Sequence, residues 1–214
     1  MAQHKKRAET IIKLLKKEYP SPKLALNFSN PLELLVATIL SAQCTDERTN
    51  MVTRDLFKKY RTAKGYANAD LKIFEDDIRQ TGFYKNKAKN IIATCQKIIT
   101  EFNGKVPQKM EHLITLPGVG RKTANIVLTF AFNKMEGIAV DTHVRRLSQR
   151  LGLSKNYDPE KIEQDLMKII PKKHWGEFSS LIIEHGRKIC LARKPLCEKC
   201  ILKHICSSFN YFSK

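Results

Sequence analysis

The sequence lacks several features that would place it in common classes of protein. No apolar run approaches the roughly 18 residues that span a membrane, and the opening MAQHKKR leads into an amphipathic segment rather than a signal peptide. Strand-like alternation of apolar and polar residues is scarce, and there is no repeat, low-complexity tract or long linker. We therefore expect a cytosolic protein without membrane contact, folded as one large domain or two small lobes.

Acidic residues are also scarce relative to basic ones. The 214-residue chain has 21 Asp and Glu against 39 Lys and Arg, a formal net charge of +18. A surplus of this size most often serves a polyanion, so nucleic acid is the expected partner. A basic surface that only maintains solubility, or the lysine-rich composition of an AT-rich genome, would give the same charge. Charge alone does not distinguish DNA from RNA.

Apolar residues follow helical spacing almost throughout, which predicts an all-α fold. Residues 84–103 form the clearest amphipathic segment, and Asn103 with Gly104 supplies a stop. Asn30 and Asp158 each precede a proline, the pattern of an N-cap followed by proline at the first helical position. Pro171 then ends the second of these helices. The apolar positions of the 84–103 segment are Ala88, Ile91, Ile92, Cys95, Ile98, Ile99 and Phe102.

The segment LPGVGRKTA at residues 116–124 places a Gly-x-Gly turn directly before an apolar helix. Glycines let a ligand approach the backbone closely, and a helix N-terminus offers N–H groups and a positive dipole end to an anion. With a short helix at 111–115, the segment predicts a helix-hairpin-helix unit that grips a DNA phosphate without reading base sequence. An ordinary interhelical turn is the alternative. The residues expected to contact DNA here are Gly118, Val119, Gly120 and Arg121.

The helix after this turn is apolar on nearly every side from Ala124 to Phe132, so we expect it to be buried apart from its N-terminal end. Lys122 stands in its first turn. A lysine at this position most commonly contacts phosphate, whereas a nucleophile needs the uncharged amine. The helix N-terminus, the adjacent Arg121 and partial burial would each disfavour the ammonium form. These residues alone leave both roles open.

Four of the six cysteines crowd between residues 190 and 206 with the spacing Cys-x6-Cys-x2-Cys-x5-Cys. In a reducing compartment such crowding favours a metal site over a disulfide framework. Four thiolates suit either zinc or an iron–sulfur cluster, and His204 could substitute as a ligand. The chemistry leaves that choice open. The four cysteines are Cys190, Cys197, Cys200 and Cys206, while Cys44 and Cys95 stand alone.

Taken together, the hairpin, VDTH at 140–143, SAQCTD at 41–46 and the closing cysteines resemble the endonuclease III family of helix-hairpin-helix DNA glycosylases. The resemblance covers nearly the whole chain in the family's order. It implies two helical lobes. A six-helix barrel lobe at 23–133 would contain the hairpin, and a lobe made of 1–22 and 134–214 would end in a [4Fe-4S] cluster loop at 190–206, with the four cysteines as ligands.

The resemblance also implies base excision repair chemistry. Lys122 would attack C1′ of the damaged nucleotide, expel an oxidised pyrimidine and form a Schiff base, from which β-elimination cleaves the strand 3′ to the abasic site. Asp141 would be the catalytic carboxylate, although it could merely cap the helix that begins near Thr142. A mismatch-directed thymine glycosylase, or a noncatalytic hairpin module that binds DNA, are the alternatives.

Other residues would contact the DNA by the same resemblance. Gln43, at a helix junction, would fill the hole left by a flipped nucleotide, and Phe83 would be a second, apolar plug. An exposed polar residue and a lid on the core are the respective alternatives. Arg193 and Lys194 lie in a basic loop that would rest against DNA. The implied protein is a monomer, cytoplasmic and associated with the nucleoid, that binds duplex DNA containing damaged pyrimidines or abasic sites.

Overall fold

The computed structural model describes residues 2–212, and no strand occurs among them, which confirms the all-α class. Across this range no helix combines the length and apolar character that a membrane span requires. Short 3₁₀ turns lie at Arg79–Thr81, Lys172–His174, Cys197–Lys199 and Lys203–Ile205. The α-helices of the described range are, in chain order, α1 (Ala2–Glu18), α2 (Pro31–Leu40), α3 (Asp46–Lys59), α4 (Ala63–Ala67), α5 (Leu71–Asp77), α6 (Tyr84–Phe102), α7 (Met110–Leu113), α8 (Arg121–Phe132), α9 (Thr142–Arg150), α10 (Pro159–Ile169), α11 (Trp175–Lys188) and α12 (Phe209–Phe212).

The chain divides into two compact units. One is the continuous segment Leu24–Lys134, and the other combines the residues up to Lys23 with those from Met135 onward. The sequence predicted lobe boundaries after residues 22 and 133, each one residue before the boundary in the structure. Residues 1, 213 and 214 of the expected second lobe lie outside the described range.

In the continuous unit, α2 supplies the centre of the apolar core. Seven consecutive residues, from Leu34 to Leu40, are buried in it. α2 packs against α8, and α4 packs against α6. Two fully buried rings, Tyr66 and Phe74, meet edge to face with centroids 5.8 Å apart. Because α2 packs against α8, this core supports the second helix of the hairpin.

Helix α6 follows its sequence pattern closely. It spans Tyr84–Phe102 and ends at Asn103 in the left-handed conformation (φ 51°), followed by Gly104 at φ 73°. Four of the seven apolar positions are buried. Ile99 was expected in the buried stripe, but it is 38% exposed and lies outside it.

The two expected proline-containing helix starts are confirmed. Asn30 Oδ1 accepts a hydrogen bond from the backbone N of Glu33 at 3.0 Å, and α2 begins at Pro31. Asp158 Oδ1 accepts from Lys161 N at 3.0 Å before α10. These bonds satisfy N–H groups that a helix start otherwise leaves unpaired.

The first helix of the hairpin differs from expectation in its bounds, whereas the second follows it. α7 spans Met110–Leu113 rather than 111–115. In α8, Ala124, Val127 and Leu128 are buried, whereas Ile126 and Phe130 are partly exposed. Ile126 and Phe130 also pack against the core, and the only exposed residue of α8 is Lys122, so the helix is covered apart from its N-terminal end, as expected.

The discontinuous unit has its own core, built from α1, α9, α10 and α11. Ile11 and Leu15 of α1 and Phe178 and Leu181 of α11 are fully buried in it. Leu202, between the third and fourth cysteines, is also fully buried. It anchors the cysteine segment to this core.

Candidate functional site

The hairpin turn at residues 116–120 is fixed against α6 by two contacts. Thr94 Oγ1 donates a hydrogen bond to the carbonyl of Pro117 at 2.7 Å. Gly118 has a φ of +76°, and a Cβ atom there would lie 2.9 Å from Nδ2 of Asn90. Both the backbone conformation and the close approach of Asn90 therefore require glycine at 118.

Gly120 has the opposite surroundings. It caps α8 in an extended conformation (φ −91°), and a Cβ atom there would meet nothing within 4 Å. Folding therefore does not require glycine at this position. The open space lies at the positive end of the dipole of a 12-residue helix, which suits an approaching anion.

Lys122 is the second residue of α8 and is exposed. The partial burial expected for it is therefore wrong. Arg121, immediately before it, is half-buried.

Asp141 is the N-cap of α9, as one of its two expected roles required. Its Oδ1 accepts from Val144 N at 2.8 Å, and its Oδ2 lies 3.2 Å from Nδ1 of His143. The carboxylate side chain is 17% exposed. A Cβ atom at Gly186 of α11 would lie 2.9 Å from Cδ2 of His143, so the imidazole is packed against that helix. The carboxylate is thus held at both oxygens, with part of its surface accessible.

All four C-terminal cysteines line one pocket, and none of these four forms a disulfide. Apolar side chains, including Leu147, Phe209 and Phe212, line the same pocket. Within residues 2–212, no three His, Cys, Asp or Glu side chains are grouped so as to hold a single metal ion. His204 is exposed and does not line the pocket, so nothing in its placement favours it as a ligand.

Residues 36–172 match the family model described as HhH-GPD superfamily base excision DNA repair protein, and residues 190–206 match the iron-sulfur binding domain of endonuclease III. Endonuclease III of Synechocystis sp. is 57% identical over 208 residues, which cover 97% of this chain and 95% of that protein. The chain belongs to the endonuclease III family. Endonuclease III of Bacillus subtilis is 44% identical over a region that covers 88% of this chain and 86% of that protein.

Solved structures of endonuclease III share the fold. A non-covalent endonuclease III–DNA complex has a TM-score of 0.92 at 44% identity, covering 97% of both chains. A trapped endonuclease III–DNA covalent intermediate has a TM-score of 0.94 at 43% identity, covering 98% of this chain and 99% of that one. A thermostable thymine-DNA glycosylase has a TM-score of 0.87 at 23% identity, which is a likeness of fold.

The cofactor of this endonuclease III family member is an iron–sulfur cluster, which resolves the choice between zinc and iron–sulfur. The residues present fit such a group. Burial raises the pKa of Cys200 to about 11 and also raises the pKa of Cys206. Protonated thiols do not ligate metals, so iron itself would supply the positive charge that favours the thiolates.

Gln43 and Phe83 occupy two turns with the same unusual backbone. Gln43 (φ 52°) lies between α2 and α3, and Phe83 (φ 48°) lies directly before α6. Both side chains are exposed, and Phe83 is 64% exposed. Phe83 is therefore not a lid on the core. Arg193 and Lys194, in the loop between the first two cysteines, are exposed as well.

Two residues beside the cysteines were not expected from the sequence. Arg150 Nη1 lies 3.3 Å from Sγ of Cys190 and donates to the carbonyl of Leu191 at 2.8 Å. His185 Nε2 lies 3.4 Å from Sγ of Cys200, and burial lowers the pKa of His185 to about 4. Neither residue belongs to a short motif, and each meets its cysteine across 15 or more positions of sequence.

Proposed function

We propose that this protein removes oxidised pyrimidines from duplex DNA and cleaves the strand on the 3′ side of the abasic site, with Lys122 as nucleophile. As a member of the endonuclease III family it is a base excision repair glycosylase and AP lyase. The observation that carries the residue assignment is the exposed lysine on the first turn of α8, directly behind the Gly120 cap. The relative solved as a covalent intermediate with DNA supports a nucleophilic mechanism.

In this reaction the uncharged amine of Lys122 attacks C1′ of the damaged nucleotide. The new C–N bond forms as the N-glycosidic bond breaks, and the base leaves with that electron pair and takes up a proton. The nitrogen then loses a proton, and its lone pair forms a C=N bond as the C1′–O4′ bond breaks. O4′ keeps the electrons of that bond and takes up a proton, which leaves an open-ring, protonated Schiff base. Loss of a proton from C2′ expels the 3′ phosphate and cleaves the strand.

Asp141 is assigned the role of catalytic carboxylate. Departure of the base builds positive charge on the sugar, which a fixed negative group stabilises, and the carboxylate can also take the proton from the amine. Its bonds to Val144 N and His143 Nδ1 hold it in place. Capping and catalysis are compatible, because the cap supplies the rigidity that catalysis requires.

The hairpin supplies the grip on the DNA backbone. Gly118 and Val119 shape the turn, while Gly120 and Arg121 face the phosphate at the N-terminus of α8. Gln43 and Phe83 enter the space left by the flipped nucleotide, for which their exposure and left-handed turns suit them. Arg193 and Lys194 contact the backbone elsewhere.

The partner is double-stranded DNA with damaged pyrimidines or abasic sites, bound by a monomer in the cytoplasm, in association with the nucleoid. The four C-terminal cysteines hold a [4Fe-4S] cluster. Such a cluster would cross-link the C-terminal segment. Arg150 and His185, which lie beside the sulfurs of Cys190 and Cys200, would orient those two ligands.

Borohydride trapping tests the assignment of the nucleophile. The wild-type protein, incubated with abasic duplex DNA and borohydride, is expected to form a covalent adduct. Lys122→Ala should abolish the adduct while most DNA binding remains, whereas Lys105→Ala, a change at another exposed lysine of the same unit, should leave it intact. An undiminished adduct with Lys122→Ala would contradict the assignment.

The damage preference is tested with two duplexes, one containing thymine glycol and one containing a T·G mismatch. We expect excision from the thymine glycol duplex. Faster excision from the mismatch would make the protein a thymine glycosylase instead. Binding without excision or adduct formation on any substrate would make it a noncatalytic DNA-binding module.

A further inference from the structure

Lys87 carries a buried ammonium group that the proposed reaction does not use. It lies in the first turn of α6 and is only 5% exposed. Burial lowers the pKa of Lys87, and the nearby Cys44 opposes that shift. Burying a cation is costly, and an apolar side chain would fill the same space at lower cost. What lysine adds at this position is its hydrogen-bond donors.

These donors join two segments that are distant in sequence. Lys87 Nζ donates to the carbonyl of Leu40 at 2.7 Å and to the carbonyl of Thr81 at 2.8 Å. Leu40 is the last residue of α2, and Thr81 is the last residue of the 3₁₀ turn before α6. Carbonyl groups at helix ends lack intrahelical partners, and a cation there is favourable.

Each of these carbonyls lies just before a side chain proposed to enter the DNA. Gln43 follows Leu40 by three residues, and Phe83 follows Thr81 by two. The backbone N of Lys87 also donates to the carbonyl of Phe83 at 3.2 Å. Left-handed backbone at non-glycine residues persists only where the surroundings fix it. Lys87 is one group that contacts both turns.

We infer that Lys87 is a positioning residue that fixes the spacing and direction of Gln43 and Phe83 before DNA binds. This inference rests on the proposed function of those two side chains. Extruding a nucleotide costs stacking and pairing energy, and side chains already held in place lose less freedom when they take its position. Lys87 itself does not touch the DNA.

The test compares an abasic site in a duplex with the same oligonucleotide as a single strand, using the full-length, cluster-loaded protein. In the single strand no paired stack has to be opened and filled. Lys87→Met is expected to lower kcat/KM for strand cleavage roughly tenfold on the duplex and less than about twofold on the single strand. A general loss of structure would lower both equally, and that result would overturn the inference.

Lys89→Met is the matched control. Lys89 is exposed on the same helix, so its replacement removes the same charge without removing the two bonds to carbonyls. Both substrates should be cleaved within about twofold of wild type. If Lys89→Met reproduces the duplex defect, charge rather than positioning explains it, and the inference is wrong.

A double-mutant cycle with Gln43→Ala identifies the route. If Lys87 acts by holding the Gln43 turn, Lys87→Met should have a smaller effect on the duplex when Gln43 is already replaced. Fully additive effects would contradict that route. If Lys87→Met does not fold, Lys87→Gln provides the same comparisons, because its polar side chain is one atom shorter and draws the donor back from the two carbonyls.

Borohydride trapping separates this inference from the proposed function. A wild-type protein that forms no adduct on either substrate would overturn the lyase mechanism, and the positioning role with it. A wild-type adduct on both substrates, with equal losses in Lys87→Met, would overturn only the positioning role.

Discussion

At the residue scale, Gly118 and Gly120 of the hairpin should respond differently to the same substitution. Gly118→Ala forces a side chain into a left-handed turn and against Asn90, so it should destabilise the protein by roughly 1–3 kcal/mol. Gly120→Ala has room and an accessible φ, so stability should change little. The added methyl group should instead weaken DNA binding several-fold.

Thermal unfolding and DNA titration of both variants measure these effects. Gly118→Ala reports how an added methyl group affects stability, and Gly120→Ala reports how it affects the approach of the phosphate. Wild-type affinity in Gly120→Ala would mean that the phosphate does not reach the open space at this cap.

Asp141→Asn should separate capping from catalysis. Asparagine caps a helix about as well as aspartate, so the free energy of unfolding should change by less than about 1 kcal/mol. The lost charge should slow base excision about a hundredfold or more. Asp158→Asn makes the same exchange at the cap of α10 and should alter neither quantity. Single-turnover excision and thermal unfolding test both, and near-normal excision by Asp141→Asn would leave this residue only its capping role.

At the element scale, the cysteine segment should depend on its cluster. The fresh protein should absorb near about 400 nm from iron–sulfur charge transfer. Cys200→Ser should lose iron, sulfide and this absorbance, since one of the four sulfurs lining the pocket is gone. Cys44→Ser, outside the pocket, should retain all three. A colourless wild-type protein that contains zinc would contradict the cofactor assignment.

Elements set by neighbouring residues were the ones that the sequence predicted well. The start of α2 and the course of α6 depend on caps and on apolar spacing within a few turns. The exposure of Ile99 depends on which other helices pack there, and spacing alone does not specify that. Local chemistry determines where a helix lies in the chain, whereas tertiary packing determines which face is buried.

The site divides in the same way. The Asp141 cap and the hairpin turn lie in short segments, so a motif predicted their conformation. Lys87 meets Leu40 across 47 positions, and Arg150 meets Cys190 across 40. No local pattern marks such pairs. The partial burial expected for Lys122 was also wrong, because its position at the helix end keeps its side chain away from the apolar residues that follow it.

For the whole molecule, the net charge of +18 predicts strongly salt-dependent DNA binding. Raising salt from about 50 to 200 mM should weaken the affinity tenfold or more, because bound counterions are released. Replacing Arg193 and Lys194 by alanine should reduce the slope of log K against log salt by about two. Replacing Arg54 and Lys58, which pair with Asp55, removes the same two charges and should leave the slope nearly unchanged. Equal slopes of log K against log salt in all three proteins would mean that the basic loop does not contact the DNA.

The discontinuous unit has a consequence for synthesis on the ribosome. The segment Leu24–Lys134 is continuous and can collapse as it emerges, whereas α1 packs on α10 and α11, which are translated after that segment. Until then the apolar side of α1, with Ile11 and Leu15, has no partner in its own core. Because α1 is translated before α10 and α11, it should dock only after they emerge, and its apolar side should need chaperone protection until then.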